Sequence, residues 1–197
     1  DPRRKYKGRA VFQGNHVKDQ DGNWAIFAEL GSSPATMEAA RAADAYGLFP
    51  GHAVQQSDAE QAYTQAYLSG TETWVRLPRD QWPDSWAGMD DPVCPLKLAL
   101  YGHPDSGTDW EQHSHDHVLS VGFKPFDGWP SCFWHPELKL FLVIYVDDFK
   151  LSGPSDKLQE GWDLIQSKLK IEPPGPLGLY LGCKHVESTK TLPGTST

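Results

Sequence analysis

Hydrophobic residues gather in short runs along the chain, separated by polar and turn-forming residues. The strongest run is Lys139–Val146, which is apolar after its first residue. Such a run predicts a strand that is buried on both faces. Ser131–His135 predicts the strand before it, across a proline-containing turn, and Phe149–Leu151 predicts the strand after it. Asp147 and Asp148 are therefore expected in a tight turn between two strands.

Helical periodicity and capping residues predict four helices. Ser33-Pro34 is a favourable start for the first helix, and Gly47 would end it. Thr108 and Glu111, a hydroxyl three residues before a Glu, form a capping box at the start of the third helix. Ser155 would cap the fourth helix. The predicted helices are Thr36–Tyr46, Ala59–Leu68, Thr108 to about Ser120, and a segment with Leu158, Trp162, Ile165 and Leu169 on one face.

The remaining apolar segments predict short strands. Loop composition, with three Pro, predicts an irregular segment over residues 78–92. From residue 52 onward the order is strand, helix, strand, strand, helix, which predicts a ferredoxin-like α+β fold with an antiparallel sheet backed by helices. The further strands are Arg9–Gln13, His52–Asp58, an edge strand over Trp74–Leu77, and a hairpin over Leu177–Cys183.

The composition is that of a folded chain of ordinary size. It has 197 residues, 39% of them hydrophobic and 12% aromatic, which excludes a disordered chain. No apolar stretch reaches the length of a membrane span, and no signal peptide is visible, so no membrane partner is expected. The three cysteines lack any C-x-x-C spacing, which argues for a reducing compartment and against a zinc ribbon.

Charge is unevenly distributed along the chain. The net charge of −8 is unusual for a nucleic-acid enzyme, yet five basic residues crowd the first nine positions. This basic start fits either a local anion site or a solvated tail. The five residues are Arg3, Arg4, Lys5, Lys7 and Arg9.

The Asp147-Asp148 pair is the main chemical signal. Two adjacent carboxylates at the end of a buried strand resist joint ionisation, and a divalent cation such as Mg²⁺ relieves that repulsion. Two-metal phosphoryl transfer commonly uses a third carboxylate from another strand. Asp58 is the best candidate because it also ends a predicted strand, and the site predicts that strands 52–58 and 139–147 are neighbours. The alternative is that Asp58 caps the helix predicted after it.

Two other groups of residues invite a functional interpretation. His113 and His117 are four residues apart on one helix face, but the Glu of a zinc-binding H-E-x-x-H motif is missing between them. Exposed helix residues are the simpler interpretation. Tryptophans in the loops could stack on bases or serve as core and loop anchors. They are Trp82, Trp86, Trp129 and Trp134.

Five segments together resemble the polymerase domain of copia-type retrotransposon reverse transcriptases. Tyr145–Asp148 resembles the catalytic Tyr-x-Asp-Asp box, and Gln56–Tyr63 is similar to the first catalytic motif, an Asp followed five residues later by an aromatic. Lys5–Val11 resembles the "YKARLV" fingers segment. Cys94–Gly102 is similar to "C-x-L-x-x-x-L-Y-G", and Leu179–Gly182 is similar to "YFLG". The five occur in the family's order and cover nearly the whole chain.

The resemblance implies an RNA-directed DNA polymerase that adds deoxynucleotides to a primer 3′-hydroxyl. Asp58, Asp147 and Asp148 would hold two Mg²⁺ ions, for which Mn²⁺ could substitute. Lys7 and Arg9 would neutralise the charge of the nucleotide triphosphate.

The resemblance also implies how the sugar and the primer are contacted. The ring of Tyr63 would exclude a 2′-hydroxyl, unless it is simply a core aromatic. Asp105 occupies a place near the nucleotide where the family usually has Gln, and its charge would weaken triphosphate binding. Primer and template would be contacted by Tyr145, Leu179, Tyr180, Leu181 and Gly182.

The implied organisation is a single domain fragment of a right-hand polymerase. Residues 1–50 and about 68–104 would form the fingers, and about 51–67 and 105–197 the palm, without thumb, RNase H or integrase segments. The expected partners are a primed RNA or DNA template, deoxynucleoside triphosphates and the rest of a Pol polyprotein, in cytoplasmic retroelement particles and the nucleus. The open alternatives are an inactive retroelement remnant and a two-metal nuclease.

Overall fold

A computed structural model describes residues 8, 10–25 and 32–188. Its strands, in chain order, are β1 (His52–Asp58), β2 (Trp74–Val75), β3 (Cys94–Pro95), β4 (Lys124–Pro125), β5 (Cys132–His135), β6 (Leu140–Tyr145), β7 (Asp148–Pro154), β8 (Gly175–Pro176), β9 (Leu179–Tyr180) and β10 (Cys183–Lys184). Its α-helices are α1 (Met37–Gly47), α2 (Ser106–Ser120) and α3 (Leu158–Gln166). Short 3₁₀ helices span Gly14–His16, Ala62–Gln65, Arg79–Gln81 and Asp84–Trp86.

The chain divides into two units. The first comprises the residues up to Ser33 together with Gln61–His117, and it contains the β2–β3 pair and most of α2. The second comprises Pro34–Glu60 and the residues from Val118 onward. α1 belongs to the second unit.

An antiparallel sheet organises the second unit. Among the described residues, six strands pair in the order β4-β5-β6-β7-β1-β8. β6 lies inside this sheet, and its residues Leu140–Ile144 are all buried, as the apolar run predicts. The predicted α+β class, with an antiparallel sheet and helices, is therefore confirmed.

Helices cover both faces of this sheet. On one face, small residues of α1 let the helix pack closely on Phe141 and Val143. On the other face, α3 buries Trp162 and Ile165 completely. Gly161 of α3 lies so close to Leu140 that a Cβ there would be 2.3 Å from a Leu140 methyl group. Successive side chains of β6 thus point alternately towards the α1 layer and the α3 layer.

Several local predictions are wrong, and the helix over Ala59–Leu68 is the main one. Only Ala62–Gln65 is helical there, as a 3₁₀ turn. Gln61 has a φ of +51°, which interrupts a right-handed helix. The backbone amides of Ala59 and Glu60 also donate to Asp147 and Lys170, so they are already engaged with other segments.

The α1 prediction is confirmed within one residue at each end, whereas the starts predicted for the two later helices need correction. α1 begins after Thr36, whose hydroxyl accepts a hydrogen bond from the Ala39 amide. α2 begins at Ser106, before the capping box at Thr108. Ser155 does not cap α3, because its hydroxyl donates to the Gly51 carbonyl and α3 starts at Leu158.

The remaining strand predictions have mixed outcomes. The hairpin over Leu177–Cys183 is confirmed as the β9–β10 pair, and the edge strand at Trp74 is confirmed over two residues. The described part of Arg9–Gln13, residues 10–13, contains no strand. In the parts of the chain that the structure describes, no helix is both long and apolar enough to cross a membrane.

Candidate active site

A two-residue turn joins β6 to β7 at the Asp147-Asp148 pair. β6 and β7 form a hairpin in which Tyr145 is the register partner of Asp148, and Val146 and Asp147 fill the turn. Val146 has a φ of +56°, a strained conformation for a β-branched residue. A positive φ at the first central residue alone is the pattern of a type II′ turn, which suits the twist of a hairpin.

Asp58 lies directly opposite Asp148. The antiparallel register pairs Asp58, the last residue of β1, with Asp148, the first residue of β7. Directly opposed residues project from the same face, with Cβ atoms about 4.5–5.5 Å apart. The predicted pairing of strands 52–58 and 139–147 is wrong, because β7 lies between β1 and β6. Asp58 nevertheless lies beside one carboxylate of the predicted pair, Asp148, because β7 is its direct neighbour.

Backbone hydrogen bonds hold this end of β1 on both sides. The Ala59 amide donates to the Asp147 carbonyl at 2.7 Å, and the Glu172 amide donates to the Asp58 carbonyl at 2.8 Å. The Ser57 hydroxyl donates to the Glu172 carbonyl at 2.6 Å. The main chain that carries Asp58 is therefore tied both to the turn and to the segment after α3.

Burial and neighbouring charges strongly perturb the Asp148 carboxyl group. Burial, the charges of Asp58 and Asp147, and a hydrogen bond with Asp58 raise the pKa of Asp148 from 3.8 to about 7. Asp58 itself is exposed, whereas Asp147 and Asp148 are half-buried. The site is thus open to solvent on the Asp58 side, and it favours either a shared proton or a cation.

The donor set fits a hard divalent cation. Carboxylate oxygens are the ligands that Mg²⁺ prefers, and in phosphoryl-transfer sites one or two carboxylates act together with waters and substrate phosphates. Asp58 and Asp148 supply two facing carboxylates. Within residues 8, 10–25 and 32–188, no three His, Cys, Asp or Glu side chains are arranged as a complete metal-binding group.

The predicted nucleotide-binding residues are spread over other parts of the chain. Lys7 and Arg9 lie outside the described residues. Tyr63 and Asp105 belong to the first unit. The half-buried Tyr63 packs against Tyr101, with ring centroids 4.5 Å apart. Asp105 is half-buried, and its amide donates to His103 at 3.2 Å.

The predicted primer-binding residues fall into exposed and buried groups. Tyr145 is half-buried beside Asp148, and Leu179 is 67% exposed. Leu181 and Gly182 form the turn of the β9–β10 hairpin, both with positive φ. Tyr180 is only 2% exposed, so Leu179 rather than Tyr180 supplies the exposed apolar side chain of this hairpin.

A buried lysine beside the site was missed by the sequence reasoning. Lys150 is completely buried in β7, and its Nζ lies 2.7 Å from the Asp44 carboxylate. A charged residue between Phe149 and Leu151, within an apolar strand, was the available signal. Strand alternation places Lys150 on the same face as Asp148.

The other chemical candidates behave as structural residues. The Trp82 indole donates to the Leu77 carbonyl at 3.0 Å and packs on Trp86, as a loop anchor does. Trp129 and Trp134 pack against the α1 side of the sheet core. The His113 ring lies 6.0 Å from Trp110, and the described residues contain no zinc-binding group that includes it.

Comparison with known proteins adds no family assignment. No protein-family model matches the chain, and no curated protein matches it.

Proposed function

We propose that this chain provides the carboxylate centre of an RNA-directed DNA polymerase of the copia type. The observation that carries the proposal is the placement of Asp58 opposite Asp148, with Asp147 in the adjoining turn. The five ordered motifs supply the family and the reaction. The antiparallel sheet with helices on its faces corresponds, on this proposal, to the polymerase palm.

The proposed chemistry is nucleotidyl transfer to a primer 3′-hydroxyl. Two Mg²⁺ ions bound by Asp58, Asp147 and Asp148 would activate that hydroxyl and stabilise the leaving pyrophosphate. Because Asp148 has a pKa near 7, its carboxyl must release its proton when it becomes a ligand. The exposed Asp58 is open to an incoming substrate, and Asp147 lies in the turn next to Asp148.

Residues beyond the carboxylates would bind the substrates. Lys7 and Arg9 would contact the triphosphate, and Tyr63 would select against ribonucleotides. The exposed part of the β9–β10 hairpin, with Tyr145, would contact the primer. A primed template, deoxynucleoside triphosphates and the other Pol segments are the corresponding partners.

An inactive retroelement remnant is the second candidate. Asp105 favours it, because a carboxylate in the usual place of Gln repels a triphosphate. On this hypothesis the carboxylate site would still bind a cation, but the chain would not extend a primer.

Primer extension separates these candidates. The chain, alone and fused to the thumb of an active copia-type polymerase, is incubated with poly-rA/oligo-dT, dTTP and Mg²⁺ or Mn²⁺. Extension that disappears in Asp147→Asn but persists in Asp156→Asn, an exposed Asp outside the site, supports the polymerase. Cation binding without extension in either form supports the remnant, and strand cleavage without dTTP identifies a nuclease.

A further inference from the structure

The buried Lys150 is held by α1. Its Nζ forms an ion pair with Asp44 at 2.7 Å and also donates to the Ala40 carbonyl at 3.5 Å. The Lys150 side chain is fully buried, whereas that of Asp44 is 25% exposed. A buried charge is costly unless it is paired and hydrogen-bonded, so α1 supplies the partners that let Lys150 stay charged in the sheet.

The same ammonium group contacts the β9–β10 hairpin. Nζ of Lys150 lies 4.0 Å from the centroid of the Tyr180 ring, within the range of a cation–π interaction. Such contacts are strongest where water is excluded, and both side chains are buried. Lys150 therefore joins α1 to the hairpin through a single charged group.

Asp44 provides a second connection to the end of the hairpin. One of its oxygens pairs with Lys150, and the other lies 3.4 Å from Nε2 of His185, the residue after β10. The His185 amide donates to the Gly178 carbonyl at 2.8 Å, which closes the base of the hairpin. Asp44 thus bridges the buried cation and the hairpin base.

Gln56 provides a third connection, from β1. Its Nε2 donates to the Leu179 carbonyl at 3.0 Å, and its Oε1 accepts a hydrogen bond from the Gly178 amide at 3.2 Å. Gln56 is the register partner of Lys150, just as Asp58 is the partner of Asp148. The residues that hold the hairpin are therefore the next pair along the same two strands, on the same face as the carboxylates.

We propose that Lys150 is a positioning residue that, with Asp44 and Gln56, fixes the β9–β10 hairpin relative to the Asp58–Asp148 pair. The functional consequence rests on the proposed polymerase activity, in which this hairpin contacts the primer. Lys150 then sets where the primer terminus lies relative to the carboxylates, and it takes no part in the chemical step. Loss of Lys150 is expected to weaken primer-template binding much more than it lowers kcat.

Amide hydrogen exchange tests the positioning without any need for activity. Lys150→Met keeps the length of the side chain and removes its charge, and Lys157→Met is the matched control, because Lys157 pairs with Glu160 on the surface. We expect exchange over residues 178–185 to quicken about tenfold in Lys150→Met, from the loss of a desolvated cation–π contact. Exchange in β6 should quicken less than that in the hairpin, and exchange throughout the Lys157→Met chain should match that of the unmodified chain. Unchanged exchange in the hairpin overturns the proposal.

A second variant covers the case in which Lys150→Met does not fold. Gln56→Met removes both hydrogen bonds to the hairpin and leaves the buried ion pair intact. It should also quicken exchange over residues 178–185, by about three- to tenfold for lost neutral hydrogen bonds. If residues 178–185 of Gln56→Met exchange as slowly as those of the unmodified chain, the result counts against the proposal.

Primer-template affinity then tests the functional consequence. Fluorescence anisotropy with a labelled primer-template should show about tenfold weaker binding for Lys150→Met, in proportion to the hairpin's opening, and no change for Lys157→Met. If amide exchange in the hairpin quickens but the affinity for primer-template is unchanged, Lys150 does not have the proposed role in placing the primer. If the unmodified chain binds no primer-template, the polymerase proposal fails, while the exchange result still decides whether Lys150 positions the hairpin.

Discussion

Asp58 is the direct cross-strand partner of Asp148, although the two belong to distant parts of the sequence. Like charges directly opposite in a sheet are destabilising, and here a third carboxylate, Asp147, lies in the adjoining turn. Lys150, two residues further along β7, is paired with Asp44. The three carboxylates therefore repel one another, and binding of a proton or a divalent cation would relieve this repulsion.

Removing the charge of Asp148 should stabilise the fold and, on the proposed function, abolish primer extension. In Asp148→Asn, the amide can still hydrogen-bond to Asp58, and the repulsion disappears. Without divalent cations at about pH 8, we expect about 1–2 kcal/mol of added stability in urea denaturation, a value discounted because Asp148 is half-buried. Asp156→Asn, at an exposed site, should change stability little. If Asp148→Asn is less stable than the unmodified chain, the charge of Asp148 does not destabilise the fold.

The stability of the chain should fall as the pH rises towards neutrality. The folded-state pKa of Asp148 is raised to about 7, above its ordinary value of 3.8, so between these values the folded state binds more protons than the unfolded state. Stability contributed by the protonated carboxyl is then fully present below about pH 4 and is lost as the pH rises through 7. We expect a loss of about 1–3 kcal/mol over this window from Asp148, after discount for its solvent exposure.

The comparison between the unmodified chain and Asp148→Asn isolates this contribution from that of other carboxyl groups. Urea denaturation of both chains at several pH values gives the difference in unfolding free energy directly. The difference should grow in favour of Asp148→Asn as the pH rises from about 4 to about 8. A difference that does not depend on pH would show that Asp148 titrates normally.

Mg²⁺ should stabilise the chain through the Asp58–Asp148 pair. An ion at about ten times its dissociation constant adds about 1.4 kcal/mol to the stability of a folded state that alone binds it. Thermal denaturation should show this stabilisation in the unmodified chain and in Asp127→Asn, which changes an exposed Asp in the loop between β4 and β5. It should vanish in the Asp58→Asn/Asp148→Asn double variant. Equal Mg²⁺ effects in all three chains would place the ion elsewhere.

The sheet was predictable from the sequence because its strands carry strong local signals. The run Leu140–Ile144 is apolar on both faces, and His52–Asp58 is bounded by turn residues. Its pairing was not predictable in the same way. Which strand lies beside β1 depends on the register of distant segments, and the prediction chose the strand on the wrong side of the Asp147 turn. Asp58 and Asp148 are nevertheless opposite each other, because the tight hairpin places the start of β7 at the same end of the sheet as the end of β6.

The segments that went wrong were those in which tertiary contacts outweigh local propensity. Ala59–Leu68 has a helical composition, but the amides of Ala59 and Glu60 donate to Asp147 and Lys170. Ser155 has the residue type of a helix cap, yet its hydroxyl is bonded to the Gly51 carbonyl. Lys150 was missed because a single charge in a strand says nothing about a partner as distant in sequence as Asp44.

Gly102 should be far less tolerant of a side chain than an ordinary turn glycine. It has a φ of +92°, and a Cβ there would lie 2.1 Å from the Phe12 carbonyl oxygen. Gly22 also has a positive φ, +83°, but has open space around it. Gly22→Ala should therefore cost about 1 kcal/mol for its conformation alone, and Gly102→Ala about 2–4 kcal/mol. Equal losses in urea denaturation would mean that the Phe12 segment does not pack on Gly102.

The Asp44–Lys150 pair should respond asymmetrically to the loss of either partner. Asp44→Asn leaves a fully buried ammonium group without a counter-charge, and we expect about 2–4 kcal/mol of destabilisation, discounted for the exposure of Asp44. Lys150→Met leaves only a partly solvated carboxylate and should cost about 0–2 kcal/mol. The double variant Asp44→Asn/Lys150→Met should be more stable than Asp44→Asn alone, since the unpaired buried charge is gone.

The surface pair Lys157–Glu160 is the control for this asymmetry. Both of its side chains are about half exposed, so Glu160→Gln and Lys157→Met should each change the unfolding free energy by no more than about 0.5 kcal/mol. Urea denaturation of the four single variants and the double variant at one pH measures all these differences together. If Asp44→Asn costs no more than Glu160→Gln, the buried pair contributes no more to stability than a surface pair does.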